Sequence, residues 1–161
     1  MKRGIILLSI VFYSLIDLKA VGTGTISNVK IGSTKADIQA AIGGVKASKE
    51  YDVLKGTIAD KQGDLAVRAS FDHGICNMIK YASSDHKKIC PEVLSTILFL
   101  NSNGVKWAKQ WSIKSKESFR SLDGKCYACV THGNEVFVIE GSFFNKSMNE
   151  LKDGRNSILK N

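Results

Sequence analysis

Cysteines 76, 90, 126 and 129 and histidines 73, 86 and 132 are the residues of this chain with the widest chemical reach. Cys126-Tyr-Ala-Cys129 has the spacing of a thiol–disulfide redox pair, which works where a turn or helix brings both sulfurs together. On a strand, residues three apart face opposite sides and stand about 10 Å apart at Cα, beyond disulfide reach. No histidine follows Cys129, so haem attachment is not indicated. A zinc site needs three or four converging ligands. His73 and His132 fall in turns and His86 in a polar loop, so all three read as exposed turn residues and no metal site is expected. Ser83-Ser-Asp-His86 holds the residue types of a hydrolytic triad, but adjacent positions do not give its geometry. Nucleophile elbow, phosphate-cradling glycine loop, metalloprotease helix and paired-carboxylate motif are all missing from the sequence. The chain reads as non-enzymatic, with no catalytic residue and no cofactor.

A binding role has better candidates. Trp107 and Trp111 are the largest apolar groups, and Lys109 and Lys114 flank them, a pattern that suits an interface anchored by aromatic residues. The competing reading places both tryptophans in the core, under a helix.

The elements that position these residues come in two copies. Val67–Gly74 followed by Ile75–Lys80 reads as a hairpin at a His-Gly turn, and Cys126–Gly133 followed by Asn134–Glu140 reads as its counterpart at a Gly-Asn turn. Ala69, His73 and Gly74 precede Ala128, His132 and Gly133 by 59 positions. Upstream, Gly44-Val-Lys precedes Gly104-Val-Lys by 60.

Ser33 or Thr34 suits a helix N-cap, Asp37 suits the first turn, and Ile38, Ala41 and Ile42 make a short apolar stripe that Gly43 and Gly44 end. The matching helix opens at Pro91, with Val93, Leu94, Ile97, Leu98 and Leu100 on a wide apolar face. After each helix comes a stretch with period-two alternation: Val45, Ala47, Lys49, Tyr51 and Val53 in one copy, Val105, Trp107, Lys109, Trp111 and Ile113 in the other. Residues 55–64 and 115–124 read as loops. The expected fold is α+β: tandem duplicated helix–three-strand units, residues 31–83 and 91–144, that pool their strands into one antiparallel sheet with the helices packed on one face. Residues 145–161 read as a polar tail.

Parity sorts the cysteines. With His73-Gly74 as a two-residue turn, Val67, Ala69, Phe71, Cys76 and Met78 share the inward face, as do Cys126, Ala128, Val130, Phe137 and Ile139 in the second hairpin. Cys90 sits at the entrance to the second helix, so the expected bridge is Cys76–Cys90. The alternative is cysteines left unpaired in the core.

Residues 1–22 form a basic start, an apolar run of 13 residues from Gly4 to Ile16, and small residues suited to cleavage after Ala20 or Gly22. The run falls short of the roughly 20 residues that span a bilayer, so a signal peptide and a periplasmic or secreted protein without stable membrane insertion are expected. Loss of Lys2, Arg3, Lys19 and Asp17 with the leader lowers the formal charge from +8 to +6. Outside the cytoplasm that balance favours an acidic protein partner, and basic residues scattered over both halves argue against nucleic acid.

Ala69-Ser-Phe-Asp-His-Gly74, Pro91-Glu-Val-Leu94, Gly104-Val-Lys-Trp-Ala-Lys109 and the hairpin through Phe144 together resemble the PepSY-like group of small secreted bacterial proteins, which share a fold with beta-lactamase-inhibitor protein. The resemblance spans about residues 33–144 and implies an extracytoplasmic binding or inhibitory module with no catalytic residues. A thiol-redox envelope protein using Cys126 and Cys129, or a structural envelope component, is the alternative.

Overall fold

The computed structural model describes residues 26–47, 52–60 and 63–158. The expected leader, residues 1–22, lies outside the described residues, as do residues 48–51 of the first alternating stretch. Among the described residues the architecture is α+β, with one eight-stranded antiparallel sheet and three α-helices. A short 3-10 turn at Ile26–Asn28 leads into helix α1 (Lys35–Ala41) and strands β1 (Gly43–Ala47), β2 (Val53–Asp60), β3 (Gly63–Asp72) and β4 (Ile75–Ser83). Helix α2 (Pro91–Asn101) then precedes β5 (Trp107–Ile113), β6 (Lys116–Ser121), β7 (Cys126–Thr131) and β8 (Glu135–Glu140), and helix α3 (Gly141–Ile158) follows. The sheet order is β1-β2-β3-β4-β8-β7-β6-β5, so strands read outward in the same sense on either side of the β4–β8 seam.

Local chemistry accounts for the boundaries. Thr34 has extended backbone and its hydroxyl accepts from the Asp37 N–H, the N-cap arrangement. Pro91 opens α2, where its lack of an N–H costs nothing, and Glu92 sits in the first turn against the positive helix end. The β3–β4 hairpin closes through His73 and Gly74 at φ 49° and 78°, the paired left-handed residues that match strand twist in a two-residue turn. The second hairpin differs from the Gly-Asn turn expected. Thr131 pairs with Glu135, so its loop has three residues, His132, Gly133 and Asn134.

Helices α1 and α2 are each followed by four strands rather than three. The segments read as loops hold β2 and β6, whose alternation is weak because Gly56 interrupts one and Phe119 is the only large apolar residue of the other. Gly56 has a steric cause. A Cβ there would lie 2.6 Å from the Gly43 carbonyl oxygen, so a side chain would push β1 off β2. Helix α1 is also shorter than its pattern suggested, and the polar tail is helical from Gly141 onward. Glu140 supplies the cap of α3: its carboxylate accepts from the Ser142 and Phe143 N–H groups at 3.0 and 2.9 Å and from the Ser142 hydroxyl. Partial burial raises its pKa, but these donors outweigh it and the net shift is downward.

One buried cluster joins the apolar stripes of α1 (Ile38, Ala41) and α2 (Val93, Ile97) to one parity of the strands. One β-bulge and one added loop residue decide which strand residues belong to it. Ser70 pairs with Met78 but Phe71 pairs with Cys76, so Asn77 is the extra residue of β4. Cys76 therefore points inward as expected, whereas Met78 does not; Ile79 and Tyr81 take the core positions. In β8 the turn residue Asn134 has the same effect, and Val136 and Val138 are buried in place of Phe137 and Ile139.

A polar knot lies inside this cluster. Asn101, buried at the end of α2, accepts from the Ile31 N–H at 2.8 Å and donates to the Tyr81 hydroxyl at 2.9 Å and the Ile97 carbonyl at 2.8 Å. The Tyr81 hydroxyl in turn donates to the Val29 carbonyl. Burial pushes the Tyr81 phenol well above its ordinary value, against the pull of the Asn101 hydrogen bond. The knot ties the N-terminal segment, α2 and β4 together, with every polar atom matched.

Asn101→Ala leaves the Ile31 N–H and Tyr81 hydroxyl without these partners. The expected loss is about 2–6 kcal/mol, at roughly 1–3 for each of the two buried groups left unmatched. It would be read as a lower urea midpoint at unchanged slope; a variant as stable as the wild type contradicts the assignment.

Candidate binding face

The parity opposite the core forms a solvent-facing surface, and the register lays its residues out in rungs. One rung crosses all eight strands. Lys46 pairs with Lys55, Lys55 with Arg68, Arg68 with Lys80, and Lys80 with Phe137 across the seam. It continues through Cys129 and Ser118 to Trp111. Half of the rung is thus cationic, on β1–β4, and half carries aromatic, thiol and hydroxyl groups, on β5–β8.

Like charges directly opposite each other on neighbouring strands are destabilising. Lys80 is relieved by Glu135, whose carboxylate lies 2.6 Å from its ammonium. Among the described residues, no carboxylate stands within ion-pair distance of Lys55 or Arg68. Small residues beside these cations leave a cleft of about 310 Å³, lined by Lys55, Gly56, Ala66, Val67, Arg68, Lys80 and Ala82. Arg68 also borders a second cleft of about 360 Å³, which extends past Ser70 and Met78 to Phe143 and Lys146 of α3. Helix α3 shelters that end of the face, where Phe144 stacks on Tyr127 with ring centroids 4.5 Å apart.

The four residues singled out for binding are separated by the structure. Trp107 is half-buried, and its indole N–H donates to the Leu98 carbonyl at 2.8 Å, which clasps β5 to α2. Lys109 pairs with Glu117 on the adjacent strand at 2.5 Å. A bulge at Gln110 then reverses parity: Lys109 faces Phe119, but Trp111 faces Ser118 on the open surface, where it is 44% exposed. Lys114 stands at the tip of the β5–β6 turn with φ 53°, away from the rung. Trp107 thus packs against the core, whereas Trp111 is exposed on the open face. Lys55, Arg68 and Lys80 were legible as a set only through the register; in the sequence they are three isolated cations in three segments.

All four cysteines are thiols in the structure, and no disulfide joins Cys76 to Cys90. Cys76 lies in β4, where its thiol donates to the Met78 carbonyl at 3.6 Å, and Cys90 is the N-cap residue of α2. Burial pushes the Cys76 thiol up to about 12, the Met78 contact opposing it weakly. The Cys126 thiol donates to the Asn101 carbonyl at 3.2 Å from the core side of β7 and is pushed up to about 11, by burial first and then by the charges of Asp123 and Glu140. Cys129 lies on the other face of β7, beside Thr131. The two sulfurs of the Cys-x-x-Cys spacing thus point to opposite sides of the sheet.

Among the described residues, no group of three or more His, Cys, Asp and Glu side chains gathers to hold a metal ion. No helix among them is long and apolar enough to cross a membrane. No protein-family model, no curated protein and no solved structure matches the chain.

Arg68→Gln removes one of the two inner charges of the row. Stability should rise by roughly 0.2–1 kcal/mol, the range for an opposed like-charge pair. The gain should shrink as salt is raised toward 1 M, where the screening length falls to about 3 Å. Denaturation of both proteins at low and high salt measures it. A loss of stability at low salt would contradict the reading of the row as unrelieved.

Proposed function

We propose that this chain is an exported, non-enzymatic binding or inhibitory module of the PepSY-like kind, which docks on an acidic protein partner through its open sheet face. The carrying observation is the rung from Lys46 to Trp111. It sets a row of cations beside exposed aromatic surface on one side of a rigid sheet. Surfaces of this kind steer an oppositely charged partner and anchor it on aromatic residues.

Tandem duplication of a helix–four-strand unit, with α1 and α2 packed on the same side of the sheet, belongs to this proposal. Its support lies in matched positions 59 apart. Val67, Ala69 and Phe71 correspond to Cys126, Ala128 and Val130, and Ile79 to Val138, all of them buried. The bulge residue Asn77 in one hairpin and the third loop residue in the other keep that offset intact. The resemblance rests on the same elements: Phe71-Asp-His-Gly74 ends a strand in a tight turn and Pro91 opens a helix. Export rests on the leader-like residues 1–22. The thiol-redox alternative has no geometric support, since Cys126 and Cys129 lie on opposite faces of β7.

A photo-crosslinking residue placed at Trp111, with a second variant bearing it at Phe99 on the exposed side of α2, tests the reading in the native envelope. Adducts should form from position 111 and weaken in high salt. Adducts from position 99 alone, or from neither position, would overturn docking through the sheet.

A further inference from the structure

We propose that the cleft over Ala66 and Ala82, walled by Lys55, Arg68 and Lys80, is the seat of a carboxylate side chain, an aspartate or glutamate, presented by the acidic protein partner. This deepens the docking reading and rests on it.

Three observations converge on that ligand chemistry. The first is charge: three cations from three adjacent strands border one cleft, and among the described residues only Lys80 of the three is ion-paired, to Glu135. The second is space. Positions 66 and 82, on the same parity as the cations, are both Ala, so the floor is low and apolar, while the cationic side chains rise around it. A volume of about 310 Å³ takes one long acidic side chain, its methylenes against the alanines and the aliphatic stems of Lys55 and Lys80, its oxygens at the cationic rim.

The third is the kind of donor on offer. Phosphate sites are built from converging backbone N–H groups, helix N-termini and hydroxyls. This cleft is bordered by paired strands, and no hydroxyl lines it. It offers one planar guanidinium and two ammonium groups, and the arginine fork matches the two oxygens of a carboxylate. The cationic row also ends at the seam, where Glu135 stands, so it spans four strands, about 14 Å at roughly 4.8 Å spacing. That length suits one acidic loop better than a nucleic-acid backbone.

The test uses the purified protein, isotope-labelled, and a blocked hexaglutamate peptide as the probe, with a single-stranded oligothymidylate in a parallel arm. Amide shifts of Gly56, Ala66 and Ala82 should saturate with the peptide. Arg68→Gln should weaken binding about tenfold, the scale of one lost charge-assisted bond. Lys114→Gln, which removes the same charge at the distant turn, should change it less than about twofold, in keeping with a contribution from long-range attraction alone. Because Arg68→Gln is expected to be at least as stable as the wild type, weakening cannot be ascribed to unfolding.

Shifts spread evenly over the lysine-bearing surface would overturn the cleft. So would equal weakening by both substitutions, or tighter binding of the oligonucleotide at the same amides. The two proposals fail separately. If Arg68→Gln captures the crosslinked partner at position 111 as well as the wild type does, the carboxylate seat falls and sheet docking stands. If no adduct forms at 111, sheet docking falls whatever the peptide does.

Discussion

Asn101 holds this structure in one arrangement. A buried amide is costly unless both of its ends are matched, and here the Ile31 N–H, the Ile97 carbonyl and the Tyr81 hydroxyl satisfy them together. Those partners come from the N-terminal segment, from α2 itself and from the strand at the centre of the sheet. A shifted helix or a slipped strand would break several bonds at once, whereas apolar contacts alone would tolerate small slides. The knot therefore fixes α2 against β4, and the buried cluster forms around it on one parity of the strands.

What remains is the other parity. Residues that alternate with a sealed core are free to be polar, and an ordinary solvated face mixes both charges. One rung of this face does not. Lys46, Lys55, Arg68 and Lys80 meet directly across neighbouring strands, and only Lys80 has a carboxylate at hand among the described residues. Elsewhere the same protein places opposite charges across strands, as in Lys109 with Glu117. The row is thus a local exception, and a surface that sacrifices some stability at one place is the expected mark of a site that engages an anion.

The sheet and both early helices were legible in the sequence because their signals are strong: period-two alternation in Val67–Phe71 and Cys126–Val130, the proline start of α2, the His-Gly turn between β3 and β4. Strands β2 and β6 were not, since Gly56 is kept small by the Gly43 carbonyl and β6 has few apolar residues to alternate. The face assignments failed where single residues were inserted. Asn77 and Gln110 each reverse parity within a strand, which put Met78 and Trp111 on the side opposite to that expected. A bulge depends on the pairing partner as much as on the strand that carries it, so the strand's own sequence does not reveal it. The cationic row was hidden for the same reason, because its members become neighbours only through register.

Native thiols provide the most direct measurement of the central claim, that one face is sealed and the other is open and positive. Cys129 lies in the middle of the open face, while Cys76 and Cys126 are in the core. In the folded protein, the dianionic reagent 5,5′-dithiobis(2-nitrobenzoate) should modify Cys129 and spare Cys76 and Cys126. It should outpace the neutral reagent 4,4′-dithiodipyridine, relative to their rates with a simple thiol, by a margin that vanishes in high salt. A Cys129 as protected as Cys126, or one that disfavours the anionic reagent, would contradict the account.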